Sequence, residues 1–270
     1  MFMGLIKRVD KARKAYAEGD IKASAQAHTL TAITDSTTEE HGGLGSEYIG
    51  DIVYGGLDGI ITTFAVVSGV VGARLGSNII LILGLANLLA DGFSMAVGAF
   101  LSKRSEQEYY RRERERETWE VDHFPDGERN ELMALYEHRG YSAEEAIQLV
   151  DIISRDKERW VDAMMVDELA LLADESNAFK NGLATFGAFA VAGTVPLMVY
   201  FLGLFVTIPG QIAFVASIVL SALALFLLGA GKVKLTGLSW WKSGLEMLLV
   251  GGLAAVVAYG VGALLSGLGA

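Results

Sequence analysis

Long uncharged apolar blocks, rather than alternating or striped patterns, dominate this chain. Five of them run approximately from Ile52 to Ala73, Gly76 to Leu101, Gly182 to Thr207, Gln211 to Ala230 and Ser243 to Leu268. A bilayer core of ~30 Å takes about 20 helical residues, so each block predicts a membrane-spanning helix. The link "VTIPGQ" between the third and fourth blocks carries the turn signal Pro209-Gly210 and predicts an antiparallel hairpin. The fold class this implies is an all-α membrane protein of five transmembrane helices.

Between the second and third blocks the pattern turns charged, with helical spacing throughout. "SKRSEQEYYRRERERETWEVDHF", "ERNELMALYEHRG", "SAEEAIQLVDII" and "RDKERWVDAMMVDELALLADES" read as three or four helices. Gly140 is a stop signal, and Ser142 with Glu145 forms a capping box for the helix that follows. Residues 1–50 open with the basic segment "KRVDKARKAYAEGDIKASAQAH" and continue into a Thr-, Ser- and Gly-rich tract, best read as a solvated helix plus linker. The organisation is therefore an N-terminal segment (1–50), transmembrane helices 1 and 2 (51–101), a helical insertion (102–181) and transmembrane helices 3 to 5 (182–270).

Charge orients the chain. Of its 22 Lys and Arg residues, six precede the first block, twelve lie in the insertion and three lie between the fourth block and the start of the fifth. Only Arg74 falls on the opposite side, so the positive-inside rule predicts a cytoplasmic N-terminus and insertion, with the C-terminus outside. Trp240 and Trp241 stand where an interfacial belt is expected.

Composition then narrows the chemistry. The chain is 52% hydrophobic, with a mean hydropathy of +0.39. It contains no cysteine, which excludes disulfides, zinc-thiolate sites and redox thiols. A net charge of −10 argues against nucleic acid as a partner and suits cations better. The first 50 residues contain no apolar signal-peptide core. No Ser/His/Asp set, phosphate loop or cofactor motif is visible, so no enzyme activity and no prosthetic group are expected. His28, His41, His123 and His138 all lie outside the spans; for His123 a surface role is a better account than an accessory ligand.

Candidate chemistry lies in two places. On a helix turning 100° per residue, Glu106, Glu113, Glu117 and Glu120 share an arc of about 60°. By charge pattern alone, a solvated helix laced with Glu–Arg pairs is the better account of this stripe. The last helix of the insertion shifts the balance, because Met164 and Glu168 are i,i+4 neighbours. A thioether beside a carboxylate suits a borderline ion such as Fe²⁺ better than Mg²⁺ or Ca²⁺, although paired methionines are more often core filler.

Within the spans, Asp58 lies about six residues into the first block and Met95 seven from the end of the second. Antiparallel helices would place the two at a similar depth, roughly 10 Å in. Asp91 and Asn87 continue the Met95 face, one and two turns along. Intramembrane acids usually mark a transport path. The structural alternative is that Asp91 caps or bonds a neighbouring helix while Met95 packs. Gly55, Gly56 and Gly59 around Asp58, and the Gly72/Gly76 pair, allow close helix contact within the chain or across a dimer.

Taken together, "DGIITTFAVVSGVVGA", "NLLADGFSMAVGAFLSKRSEQEYY" and "RWVDAMMVDELAL" resemble the vacuolar iron transporter family, its prokaryotic members included. The resemblance runs from about residue 48 to the C-terminus. It implies a homodimer whose paired first helices line a path. It also implies export of Fe²⁺, and of Mn²⁺ or other divalent metals, from the cytoplasm in exchange for protons. By the same resemblance Asp58 and Met95 are transport ligands, and Glu106, Glu113, Glu117, Glu120, Met164 and Glu168 are the metal ligands of the cytoplasmic domain.

Two departures from the family stand out. Tyr109 occupies the second position of an upstream E-x-x-E pair, and Asn87 stands near where a further acid is expected. The expected location is a prokaryotic cytoplasmic membrane, or a vacuolar membrane in a eukaryote. Two rivals stay open: a membrane-anchored metal sensor or store without flux, and a transporter of another solute with a merely solvated stripe.

Overall fold

The computed structural model describes residues 4–37, 48–174, 176–236 and 239–266. Most of the Thr/Ser/Gly-rich tract before Tyr48 and the end of the fifth apolar block lie outside these residues. Helices α1 (Gly4–Glu18), α2 (Ile21–Ala27) and α3 (Leu30–Thr37) pack on one another. The single basic helix expected here is broken because Gly19 takes a left-handed φ of +66°. Asp20 then caps α2 by accepting from the backbone N–H groups of Lys22 and Ala23.

The remaining helices are α4 (Ile49–Gly72), α5 (Ser77–His123), α6 (Pro125–His138), α7 (Ala143–Ile153), α8 (Lys157–Ala163), α9 (Ala178–Thr194), α10 (Met198–Leu202), α11 (Gly210–Thr236) and α12 (Trp240–Leu265). Five helical stretches are long and apolar enough to cross a membrane, and no strand occurs among the described residues. This is an integral membrane protein of all-α class. Trp240 and Trp241 open α12 and are exposed.

Helix α4 is the hub of the bundle, in contact with α5, α9, α11 and α12. Small residues make this possible. A Cβ on Gly59 would lie 2.4 Å from the Phe189 carbonyl oxygen of α9, and one on Gly262 of α12 would lie 2.1 Å from the Gly69 carbonyl oxygen. At such separations backbone packs on backbone, the arrangement lipid-embedded helices use in place of a hydrophobic driving force. Gly72 likewise meets α12 near Tyr259, while Gly76 caps α5. The close-contact glycines around Asp58, and Gly72, thus serve contacts inside the chain.

The third span is not one regular helix. Pro196 interrupts it, and residues Val195–Leu197 form a 3₁₀ turn between α9 and α10. Proline removes the ladder donor and clashes with the preceding turn. The buried Ser217 hydroxyl of α11 donates to the Pro196 carbonyl at 2.7 Å, satisfying an acceptor near the break. The predicted hairpin is present at this end, where α10 and the 3₁₀ turn touch α11; farther along, α11 turns to α4 and α12.

Helix α5 runs without interruption for 47 residues, about 70 Å at 1.5 Å per residue. Its second half therefore leaves the apolar bundle as a rigid arm. On that arm α6, α7 and α8 fold back around a small core of Val121, Leu132, Ala146, Val150, Val161 and Met164. Gly140, at φ +100°, stops α6 after Arg139, and the Ser142–Glu145 capping box starts α7. Arg114 pairs with Glu158 and Asp162, and Lys157 with Asp122, holding α8 against the arm.

Candidate metal centre and membrane carboxylates

The last turns of α5 carry Glu113, Glu117 and Glu120. At Phe124 the backbone leaves helical geometry and Pro125 restarts it as the first residue of α6. The reversal brings Glu128, in the first turn of α6, back over the end of α5. Oxygens of Glu117, Glu120 and Glu128 lie within 4.8 Å of one another. Glu117 is 1% exposed and Glu128 is 5% exposed. Each has one carboxylate oxygen, Oε2, that is buried without a hydrogen-bond partner. Orphaned buried acceptors are costly, and convergent ones are arranged as a cation would need them.

Two methionines are buried in the core beside this region. After α8 the chain widens into a five-residue π turn, Met164–Glu168, whose two methionines are fully buried. Single π turns are frequent at functional sites. This one is clamped from outside: the Tyr136 hydroxyl donates to Asp167 at 2.9 Å, and Arg139 pairs with the same carboxylate. The clamp leaves the next residue, Glu168, electrostatically coupled to Glu117, Glu120 and Glu131.

Burial pushes the Glu117 carboxyl up to about 7 despite the Arg116 guanidinium beside it, and neighbouring carboxylates add to the shift. Burial and then the Glu117 charge push Glu128 to about 7. Burial and the Glu131 charge raise Glu168 as well. Both folded-state values near 7 lie above the ordinary 4.5, so the folded chain binds protons that the unfolded chain releases. The metal-free protein is therefore expected to lose stability as pH rises from about 4.5 through 7. Melting temperature should fall between pH 5 and pH 8 without metal, and saturating divalent metal should abolish that fall, because ligation needs the deprotonated carboxylates.

The predicted stripe is thus divided. Glu113, Glu117 and Glu120 gather at one end of the arm. Glu106 sits eleven residues before Glu117, about 16 Å along the helix. There it pairs with Lys103 and lines a cleft of about 640 Å³ with Tyr109, Tyr110, Arg111 and Asp174. Glu128 was not among the residues singled out by spacing. The signal that could have found it is "DHFPDGE", a helix break followed within one turn by an acid.

In the bundle, Asp58 on α4 and Asn87, Asp91 and Met95 on α5 are all half-buried. The Asp91 charge acts on Asp58, so the two acids lie within electrostatic reach. The Asn87 amide nitrogen is buried without a partner. Asp51, two turns before Asp58 on the same helix face, accepts from the Thr185 hydroxyl at 3.5 Å and feels the Lys103 charge. Glu246 on α12 is exposed.

Comparison with known proteins places this geometry in context. The sequence profile of the VIT family matches residues 49–263. The chain is 41% identical over 265 residues to the vacuolar iron transporter of Toxoplasma gondii, a match spanning 94% of this chain and 87% of that protein. It is 36% identical to the vacuolar iron transporter of Plasmodium berghei, over 97% of this chain and 98% of that protein. Identity to vacuolar iron transporter 1 of Arabidopsis thaliana is 32%, over 84% of this chain and 89% of that protein.

Proposed function

The chain belongs to the VIT family, and from that premise we propose that it is a proton-coupled exporter of Fe²⁺, accepting Mn²⁺ and other divalent metals. The metal is cargo, captured by Glu117, Glu120 and Glu128 with Glu113, Met164 and Glu168 around them, and passed to Asp58, Asp91 and Met95 in the spans. Glu106 belongs to the approach rather than to the cluster. The distribution of basic residues favours a cytoplasmic N-terminus and insertion, in the membrane that bounds the cytoplasm.

One observation carries the transport reading: two carboxylates, Asp58 and Asp91, stand within electrostatic reach of each other inside apolar spans. Such a pair is costly in lipid and serves to neutralise a cation or carry protons. Both acids, with Asn87 and Met95, are covered only in part by this chain's own helices. A second copy covering that face would remove them from lipid, which supports a homodimer with the path between its copies.

Proteoliposomes test the proposal. Fe²⁺ should enter vesicles containing the full chain when their lumen is acidic, and uptake should collapse with the pH gradient. Metal binding without flux in either condition would make the protein an anchored store. Flux indifferent to the gradient would remove the coupling.

A further inference from the structure

Within the cluster one cation is already present. Arg116 extends its guanidinium to three carboxylates at once: Nε donates to Glu113 at 3.0 Å, Nη2 to Glu117 at 2.5 Å, and Nη1 to Glu120. Two of these three acids are the ones that converge with Glu128. Other arginines of the arm behave differently. Arg104 takes a single partner, Glu108, and Arg114 reaches out to α8. Only Arg116, among the described residues, binds the acids of the candidate metal centre.

Resting on the metal-capture reading above, we propose that Arg116 is a tethered surrogate cation: it occupies the carboxylate cluster when no metal is bound and must be displaced by the incoming ion, so it sets affinity and favours release. The chemistry supports exchange rather than coexistence. A guanidinium keeps its charge at all relevant pH values, and its planar fork uses the same lone pairs a metal would take. A divalent ion seated among Glu117, Glu120 and Glu128 would lie next to that fixed charge and be repelled by it.

The guanidinium also leaves the cluster incomplete. Glu117 Oε2 and Glu128 Oε2 remain buried and unpartnered with Arg116 in place, on side chains only 1% and 5% exposed. These two oxygens are where a metal can gain a foothold before the arginine leaves. Departure is easy, because the Arg116 side chain is 42% exposed and hangs on a flexible stem. The helix keeps it close afterwards: Arg116 stands three residues after Glu113 and four before Glu120, so its return is local. Metal release toward the spans is then assisted by a cation that refills the site. Plain helix-stabilising ion pairs would share this spacing without affecting metal affinity.

Calorimetric titration of the full chain in detergent with Co²⁺ alone separates these roles. Arg116→Gln is expected to bind Co²⁺ about tenfold more tightly than the unsubstituted chain, the size expected from losing a few partly exposed ion pairs. Its melting temperature should drop without metal and rise more on loading. Arg116→Lys, which keeps the charge and loses the fork, should fall between the two and serves if the glutamine variant does not fold. Tight Co²⁺ binding by the unsubstituted chain with equal or weaker binding by folded Arg116 variants would overturn this inference alone. Absence of Co²⁺ binding in every form would overturn the capture reading and this inference together. Binding only after substitution would uphold the competition.

Discussion

Asp58→Asn should lower Fe²⁺ flux in proteoliposomes by about 100-fold while leaving Co²⁺ binding by the insertion unchanged. The factor follows from the cost of an ion in a poorly hydrated path. Removing a countercharge there forfeits roughly 3 kcal/mol, and 1.4 kcal/mol is tenfold. The side chain is isosteric, so the charge alone is tested. Asp58→Glu keeps the charge on a longer stem and should recover part of the flux. Asp91 acts electrostatically on Asp58 from a different helix, α5. Loss of flux accompanied by loss of metal binding would show that the substitution had disturbed the fold rather than the path.

Gly59→Val should prevent assembly of the bundle. Its new Cβ would meet the Phe189 carbonyl oxygen at 2.4 Å and the Phe189 Cα at 3.0 Å, both backbone atoms of α9. No side chain can swing aside, so the α4–α9 pair must separate, and α4 is the helix on which α5, α11 and α12 also rest. Overpacking of a tight core costs about 1–3 kcal/mol even where relaxation is available, and more where it is not. The expected result is aggregated protein, or a melting temperature lowered by more than ~10 °C, in detergent. Gly252→Ala is the control: a Cβ there meets nothing within 4 Å, and its melting temperature should stay within a few degrees. Equal behaviour of the two variants would show that the α4–α9 approach does not limit stability.

Much of this molecule is local and therefore readable. The five spans follow from block length against bilayer thickness. The Ser142–Glu145 cap is also present as expected, because two residues three apart in one turn decide it. The shared face of Glu113, Glu117 and Glu120 likewise follows from 100° per residue. The third span is present but less regular than its apolar block implies: Pro196 breaks it locally, and only the tertiary structure supplies Ser217 from another helix to satisfy the Pro196 carbonyl. Local rules failed at Glu128. Its place in the cluster depends on the angle at which α6 leaves Phe124 and on the Leu132–Met164 core that holds it there.

The sequence by itself determined the class of protein, the membrane segments and the faces of α5 on which its acids and Met95 fall, because α-helix geometry repeats every 3.6 residues and needs no distant partner; the wider π turn at Met164–Glu168 escaped that rule. Only the tertiary structure decided which acids lose water. Glu106, Glu117 and Glu120 sit on one stripe, yet burial selects Glu117, adds Glu128 from the returning helix and leaves Glu106 in solvent. Desolvation depends on what packs over a side chain, and here that is supplied by residues far away along the chain.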